Sequence, residues 1–125
     1  MKIKAPLKFS IHVPLVFYPF PIHFLRIAPT DFSDRSISRV LNSLQEGDFI
    51  TIGDVLNTSI IELVNTRNFG EKGLYMLCGM LETISHNPEL ILDTDNLKPP
   101  LRNEVECLKQ KKPVKNQLLD LGIKL

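Results

Sequence analysis

Apolar residues recur at helical spacing through the middle of the chain and are interrupted by turn signals. Ile37, Val40, Leu41 and Leu44 mark one face of a first helix from about Ser36 to Glu46. Gly47-Asp48 ends it. Thr51-Ile52-Gly53-Asp54 offers a Thr cap with a carboxylate three residues on, which opens a short helix reaching about Asn57. Ser59-Ile60-Ile61-Glu62 repeats that signal and opens a third helix to about Thr66. Arg67-Asn68-Phe69-Gly70 reads as a turn, because Asn and Gly tolerate positive φ. A fourth helix then runs from about Glu71 to Ile84, with Leu74, Leu77, Cys78, Leu81 and Ile84 on one face and Pro88 soon after its end. The expected core is Val40, Leu41, Leu44, Ile52, Val55, Leu63, Phe69, Leu74, Leu77, Leu81 and Ile84.

The flanks lack this rhythm. Residues 1–29 are apolar and Pro-rich, running from Ile11 through Phe17, Phe20 and Phe24 to Leu25. Basic residues precede the apolar run, as in a targeting segment, but Pro14, Pro19 and Pro21 would leave bare carbonyls in lipid, and no small-x-small cleavage site follows. The expectation is an extended, partly disordered segment that packs on the domain or on a partner and does not span a membrane. In residues 86–125, Lys98-Pro99-Pro100 reads as a linker and Asn103–Lys112 as a short helix with Val105 and Leu108 inward. Lys109-Gln110-Lys111-Lys112 reads as a solvated basic face, and low order is expected around it. The sequence thus divides into an N-terminal extension (1–29), a helical domain (30–85) and a C-terminal tail (86–125), with no internal repeat and no nucleotide-type glycine loop.

Charge changes the picture only locally. The 125 residues hold 15 Lys plus Arg against 14 Asp plus Glu, so no basic excess points to nucleic acid. Residues 30–85 carry four bases against eight acids, a net of −4, so any DNA contact there must come from a local patch. Cys78 and Cys107 form no Cys-x-x-Cys pair and no His stands at ligand spacing, which reads as two reduced thiols in a cytoplasmic protein. No metal, no cofactor and no catalytic constellation is expected. His12, His23 and His86 are isolated, and no nucleophile has an adjacent base.

The hairpin between the third and fourth helices is where chemistry concentrates. A helix N-terminus presents free N–H groups and a positive dipole end, and Gly70 lets a phosphate approach them. Lys72 adds a mobile charge, and Phe69 is expected to point inward and fix the turn. This is a way to hold a DNA backbone with little base reading. The competing reading is an ordinary helical corner with a glycine.

Four blocks carry a resemblance. They are Ser38-Arg39-Val40-Leu41-Asn42-Ser43-Leu44, Thr51-Ile52-Gly53-Asp54-Val55, Ser59-x-x-Glu62-Leu63 and Arg67-Asn68-Phe69-Gly70-Glu71-Lys72-Gly73-Leu74. Together, without a gap from Arg39 to Leu74, they resemble the C-terminal domain of the bacterial RNA polymerase alpha subunit. The resemblance implies an all-α, compact four-to-five-helix domain of SAM-like type with a helix-hairpin-helix motif, flanked here by irregular extensions. A sequence of 125 residues has no room for that subunit's large N-terminal assembly domain, so a stand-alone domain is expected.

What the resemblance implies for function is binding of double-stranded, A/T-rich DNA and contact with transcription proteins. Arg39 would enter the minor groove, with Asn42 supporting it one turn later. Asn68, Gly70, Lys72 and Gly73 would form the phosphate-contacting hairpin. A narrow A/T minor groove attracts an inserted Arg, which agrees with this placement. Three positions depart from the family. Gly73 stands where Ser is usual, Glu71 where Lys is frequent and Met76 where Glu is common, and the first two weaken the expected hold on phosphate. The alternative is a protein-interaction module that docks on polymerase, a sigma factor or a transcription regulator without touching DNA. A contiguous positive patch at Arg39 and Lys72 would favour DNA; acids closing over it would favour the protein partner.

Overall fold

The computed structural model describes residues 5–125, so of the N-terminal extension residues 1–4 lie outside the described residues. The central region holds four helices in the expected order. They are α1 (Asp34–Glu46), α2 (Ile52–Leu56), α3 (Ile60–Val64) and α4 (Gly70–His86). Their ends follow local chemistry. The Ser33 hydroxyl accepts from Ser36 N–H and caps α1. Thr51 and Asp54 close a reciprocal capping box at α2, and the Ser59 hydroxyl accepts from Glu62 N–H at α3. Asn68 and Gly70 both take positive φ, 62° and 63°, and reverse the backbone between α3 and α4. Asp48, at φ 70°, turns it after α1. All eleven expected core residues are buried except Leu74, which is half-buried and packs against the core.

The N-terminal segment is a structural layer of its own. It was expected to be extended; it folds instead into three short 3-10 helices, Leu7–Phe9, Leu15–Phe17 and Ile22–Ile27. Pro6, Pro14 and Pro21 stand immediately before them. Each proline carbonyl accepts from the N–H three residues on, at 2.9–3.1 Å. A residue with φ fixed near −65° and no N–H of its own suits the start of a turn, so prolines that exclude a long helix nucleate short ones. The segment is pinned to the domain by backbone bonds. Leu7 N–H donates to the Thr58 carbonyl, Ile22 N–H to that of Ile50, and Ile52 N–H to that of Phe20, each at 2.9 Å. Phe17, Phe20 and Phe24 are fully buried, with ring centroids 4.9–5.9 Å apart, and form the aromatic centre of the core. His23 Nε2 meets Gln45 Oε1 of α1 at 2.7 Å, and Arg26 Nε donates to His23 Nδ1 at 3.4 Å.

The C-terminal tail is also ordered into elements. A 3-10 helix, Pro88–Leu92, precedes α5 (Pro99–Gln110) and α6 (Lys112–Asp120). The Lys98-Pro99-Pro100 string, read above as a linker, opens α5, because proline is compatible with the first helical turn, where the N–H would be unpaired anyway. Val105 faces inward as expected and Leu108 packs against the core. Lys109 departs from the expected solvated face. It is buried, and its Nζ meets Glu106 Oε1 at 3.0 Å, while the Thr94 hydroxyl donates to that same oxygen at 2.6 Å. One hydrophobic cluster runs from Leu7 to Ile123 through all three segments. No helix among the described residues is long and apolar enough to cross a membrane.

Candidate nucleic-acid interface

Helix α1 presents two polar faces to two different grooves. Asp34, Ser38 and Gln45 turn toward a cleft shared with the N-terminal segment and α5. Arg35, Arg39, Asn42 and Glu46 turn the other way and line a shallow, open groove of about 660 Å³, together with Ser43 and Asn68. The spacing of four, three and four residues is what puts these side chains on one stripe. The structure therefore brings Arg39, Asn42 and Asn68 together, although Asn68 is 26 or more positions along the sequence from the other two.

Ser43 stands in this groove where α1 meets the hairpin. Its hydroxyl is buried and lies 2.8 Å from the Arg39 carbonyl and 3.3 Å from that of Asn68. α1 is thereby tied to the hairpin at the point where the candidate contacts face each other. Sequence reasoning did not single out Ser43 or Arg35. The available signal was their helical spacing from Arg39, one turn either side of it.

Gly70 and Lys72 do not line this groove; they stand on the first turn of α4, with Lys72 exposed and Gly70 partly so. The Gly70 backbone needs its positive φ, and a Cβ there would meet open space, so the glycine leaves the helix N-terminus uncovered. The side of Gly73 is different. A Cβ at that position would lie 2.7 Å from Phe69 Cδ1 and 2.9 Å from Cγ. Gly73 is buried beneath the ring of Phe69, which points inward as expected. Met76 is also buried, so the residue that departs from the family's common Glu belongs to the core.

The electrostatics of the groove are graded along α1. Arg35 and Arg39 occupy its N-terminal half, on the positive side of the helix dipole, and Glu46 closes its C-terminal end. Among the described residues the ion pair present is Lys109–Glu106, so neither guanidinium is in ion-pair contact with a carboxylate. Glu71 is exposed beside Lys72 and reduces the positive field at the hairpin. No group of three or more His, Cys, Asp or Glu among the described residues could hold a metal ion. Cys78 and Cys107 are free thiols, and burial, with Glu82 nearby, raises the pKa of Cys78.

Comparison with known proteins agrees with the blocks read from the sequence. Residues 26–82 match the family described as the C-terminal domain of the bacterial RNA polymerase alpha chain. Over 102 residues the protein is 38% identical to the DNA-directed RNA polymerase subunit alpha of Dehalococcoides mccartyi, a match covering 78% of this sequence and 28% of that one. It is 34% identical over 65 residues to the subunit of the same name from Bacteroides fragilis, covering 51% of this sequence and 20% of that one. The protein thus spans less than a third of the length of either relative. The first match is longer than the family segment, so similarity extends into at least one of the flanks, beyond the Arg39–Leu74 stretch that carries the resemblance. No solved structure matches the protein.

Proposed function

We propose, from the match of residues 26–82 to the C-terminal domain family of the bacterial RNA polymerase alpha subunit, that the protein is a DNA-binding module of transcription. A transcription-related role goes with the family; the mode of binding is the proposal. Arg39 enters the minor groove of A/T-rich duplexes, where a narrow groove focuses negative potential. Asn42 supports it, one turn along the same helix. Asn68 faces both from the hairpin. The free N–H groups at Gly70 and the charge of Lys72 hold the phosphate backbone, and Gly73 contributes by letting Phe69 seat the hairpin.

The observation that carries this reading is the groove that holds Arg39, Asn42 and Asn68 side by side, with two arginines free of ion pairs among the described residues. The test is a titration of labelled A/T-rich duplex at two salt concentrations. Binding that weakens steeply with salt is expected, because phosphate neutralisation releases counterions. Absence of binding at the lower salt would overturn the reading. A second reading rests on Glu46 at the groove's end and Glu71 beside Lys72. In that case the same surface docks on a protein of the transcription machinery, whether polymerase, a sigma factor or a regulator, and the duplex titration stays flat.

A further inference from the structure

We propose that Arg35 is a second nucleic-acid contact of this groove, a sequence-independent phosphate clamp one helical turn from Arg39. The inference rests on the DNA-binding reading and adds to it a residue that the resemblance did not mark. Three observations carry it. Arg35 lines the same groove as Arg39, Asn42 and Asn68. It is exposed and, among the described residues, has no carboxylate partner. Its acidic neighbour in sequence, Asp34, lines the other cleft instead of this groove.

The geometry gives the two arginines different work. Residues four apart on a helix place their Cβ atoms about 6 Å apart along one stripe. Arg39 lies in mid-groove, opposite Asn68 and beside the Ser43 brace. Arg35 lies nearer the N-terminus of α1, on the groove's outer end and farthest from Glu46. With Arg39 inserted between the strands, a cation one turn outward meets the backbone that flanks the insertion. Backbone phosphates are the same in every sequence, so Arg35 adds affinity without adding base preference. The planar guanidinium can engage a phosphate by two parallel hydrogen bonds, and the helix dipole reinforces the positive field there.

The experiment compares the full-length protein with Arg35→Ala and Arg35→Lys by fluorescence anisotropy, on A/T-rich and G/C-rich duplexes across a salt series. Arg35→Ala should weaken both duplexes by a similar factor, roughly three- to tenfold, and lower the slope of log affinity against log salt by about 0.9, one phosphate's worth. Arg35→Lys should keep the slope, because it keeps the charge. A parent that binds with a clear salt slope, and an Arg35→Ala variant that matches it in affinity and slope, would overturn the inference and leave the DNA reading standing. A parent that binds neither duplex would overturn both, so the parent's own titration tells the two failures apart. Loss confined to A/T-rich duplex would also overturn it, since that would place Arg35 inside the minor groove. The residue is exposed on the first turn of α1, so circular dichroism melts of the variants should overlay the parent.

Discussion

The ring of Phe69 covers Gly73 so closely that a Cβ there would stand 2.7 Å from Cδ1. The family's usual Ser at this position therefore does not fit this hairpin. Phe69 is buried and cannot swing aside without leaving the core. Gly73→Ser should destabilise the domain by about 1–2 kcal/mol, because overpacking costs more than the better helix propensity of Ser returns. Thermal melts read this directly. The hydroxyl should not improve DNA binding, and a variant both as stable as the parent and tighter on duplex would refute the packing account.

The aromatic trio of the N-terminal segment should matter to the domain as much as its own helices do. Phe17, Phe20 and Phe24 are wholly buried against one another and against the rest of the core. Phe24→Ala should cost about 3–5 kcal/mol, the range for emptying a buried aromatic site. A protein starting at residue 30 should melt far below the full-length one, or fail to fold. Unchanged denaturant midpoints would mean that the segment is dispensable decoration.

The helical domain was legible in the sequence because its signals are local. Thr51 and Asp54 are three residues apart, Asn68 and Gly70 flank one turn, and Leu77, Leu81 and Ile84 keep the helical period. The flanks were less legible because their order comes from distant contacts. Nothing near Phe17 in sequence tells that its ring stacks on Phe24 beneath helices that begin at residue 34. Prolines were read as breakers, whereas Pro14, Pro21 and Pro99 begin turns and a helix. The burial of Lys109 depends on Glu106 and on Thr94, fifteen residues earlier, and a run of lysines hides that partnership. At the candidate interface, Arg39 and Asn42 were visible as a helical pair, but the Ser43 brace to the hairpin needed the fold.

That buried lysine gives a further expectation. Glu106 binds the Lys109 ammonium within α5 and accepts from the Thr94 hydroxyl with the same oxygen, and the Thr94 bond ties α5 to the segment before it. Glu106→Ala leaves an unpaired ammonium in a site that is only 6% exposed. The cost should be about 1–3 kcal/mol, as for losing a hydrogen bond to a charged group. Replacing Lys109 by Met at the same time should recover much of it, since the orphaned charge goes too. A double variant less stable than Glu106→Ala alone would argue against this account.

Acid should loosen the start of α2. The Asp54 carboxylate accepts from the N–H groups of Thr51 and Ile50, each at 2.9 Å. The Thr51 N–H is the largest cause of a pKa held below the ordinary 3.8; slight burial opposes it, and the Ile50 N–H assists. A carboxyl depressed in the folded state stabilises above its unfolded pKa, and that contribution drains away as pH falls through the folded value. At neutral pH, Asp54→Ala should cost about 1 kcal/mol, the usual size of a cap. Below the ordinary carboxylate range, the gap between parent and variant should close. A gap that stays constant from pH 7 to about pH 2 would assign the loss to something other than the charge.

The two candidate contacts Arg39 and Lys72 should fail in different ways. Arg39 shares its groove with Asn42 and Asn68, and in the proposed mode it sits in the minor groove. Narrow A/T tracts focus negative potential there, so what Arg39 contributes depends on sequence. Arg39→Ala should therefore weaken A/T-rich duplex much more than G/C-rich duplex. Lys72 stands outside that groove, on the first turn of α4 beside the free hairpin amides. Its partner is a phosphate, which every sequence offers, so Lys72→Ala should weaken both duplexes alike and lower the salt slope by about 0.9. Both side chains are exposed, so neither change should move the melting curve. Equal losses on the two duplexes for Arg39→Ala would take Arg39 out of the minor groove and make it one more phosphate contact. A sequence-selective loss for Lys72→Ala would mean that the hairpin, rather than α1, reads the DNA.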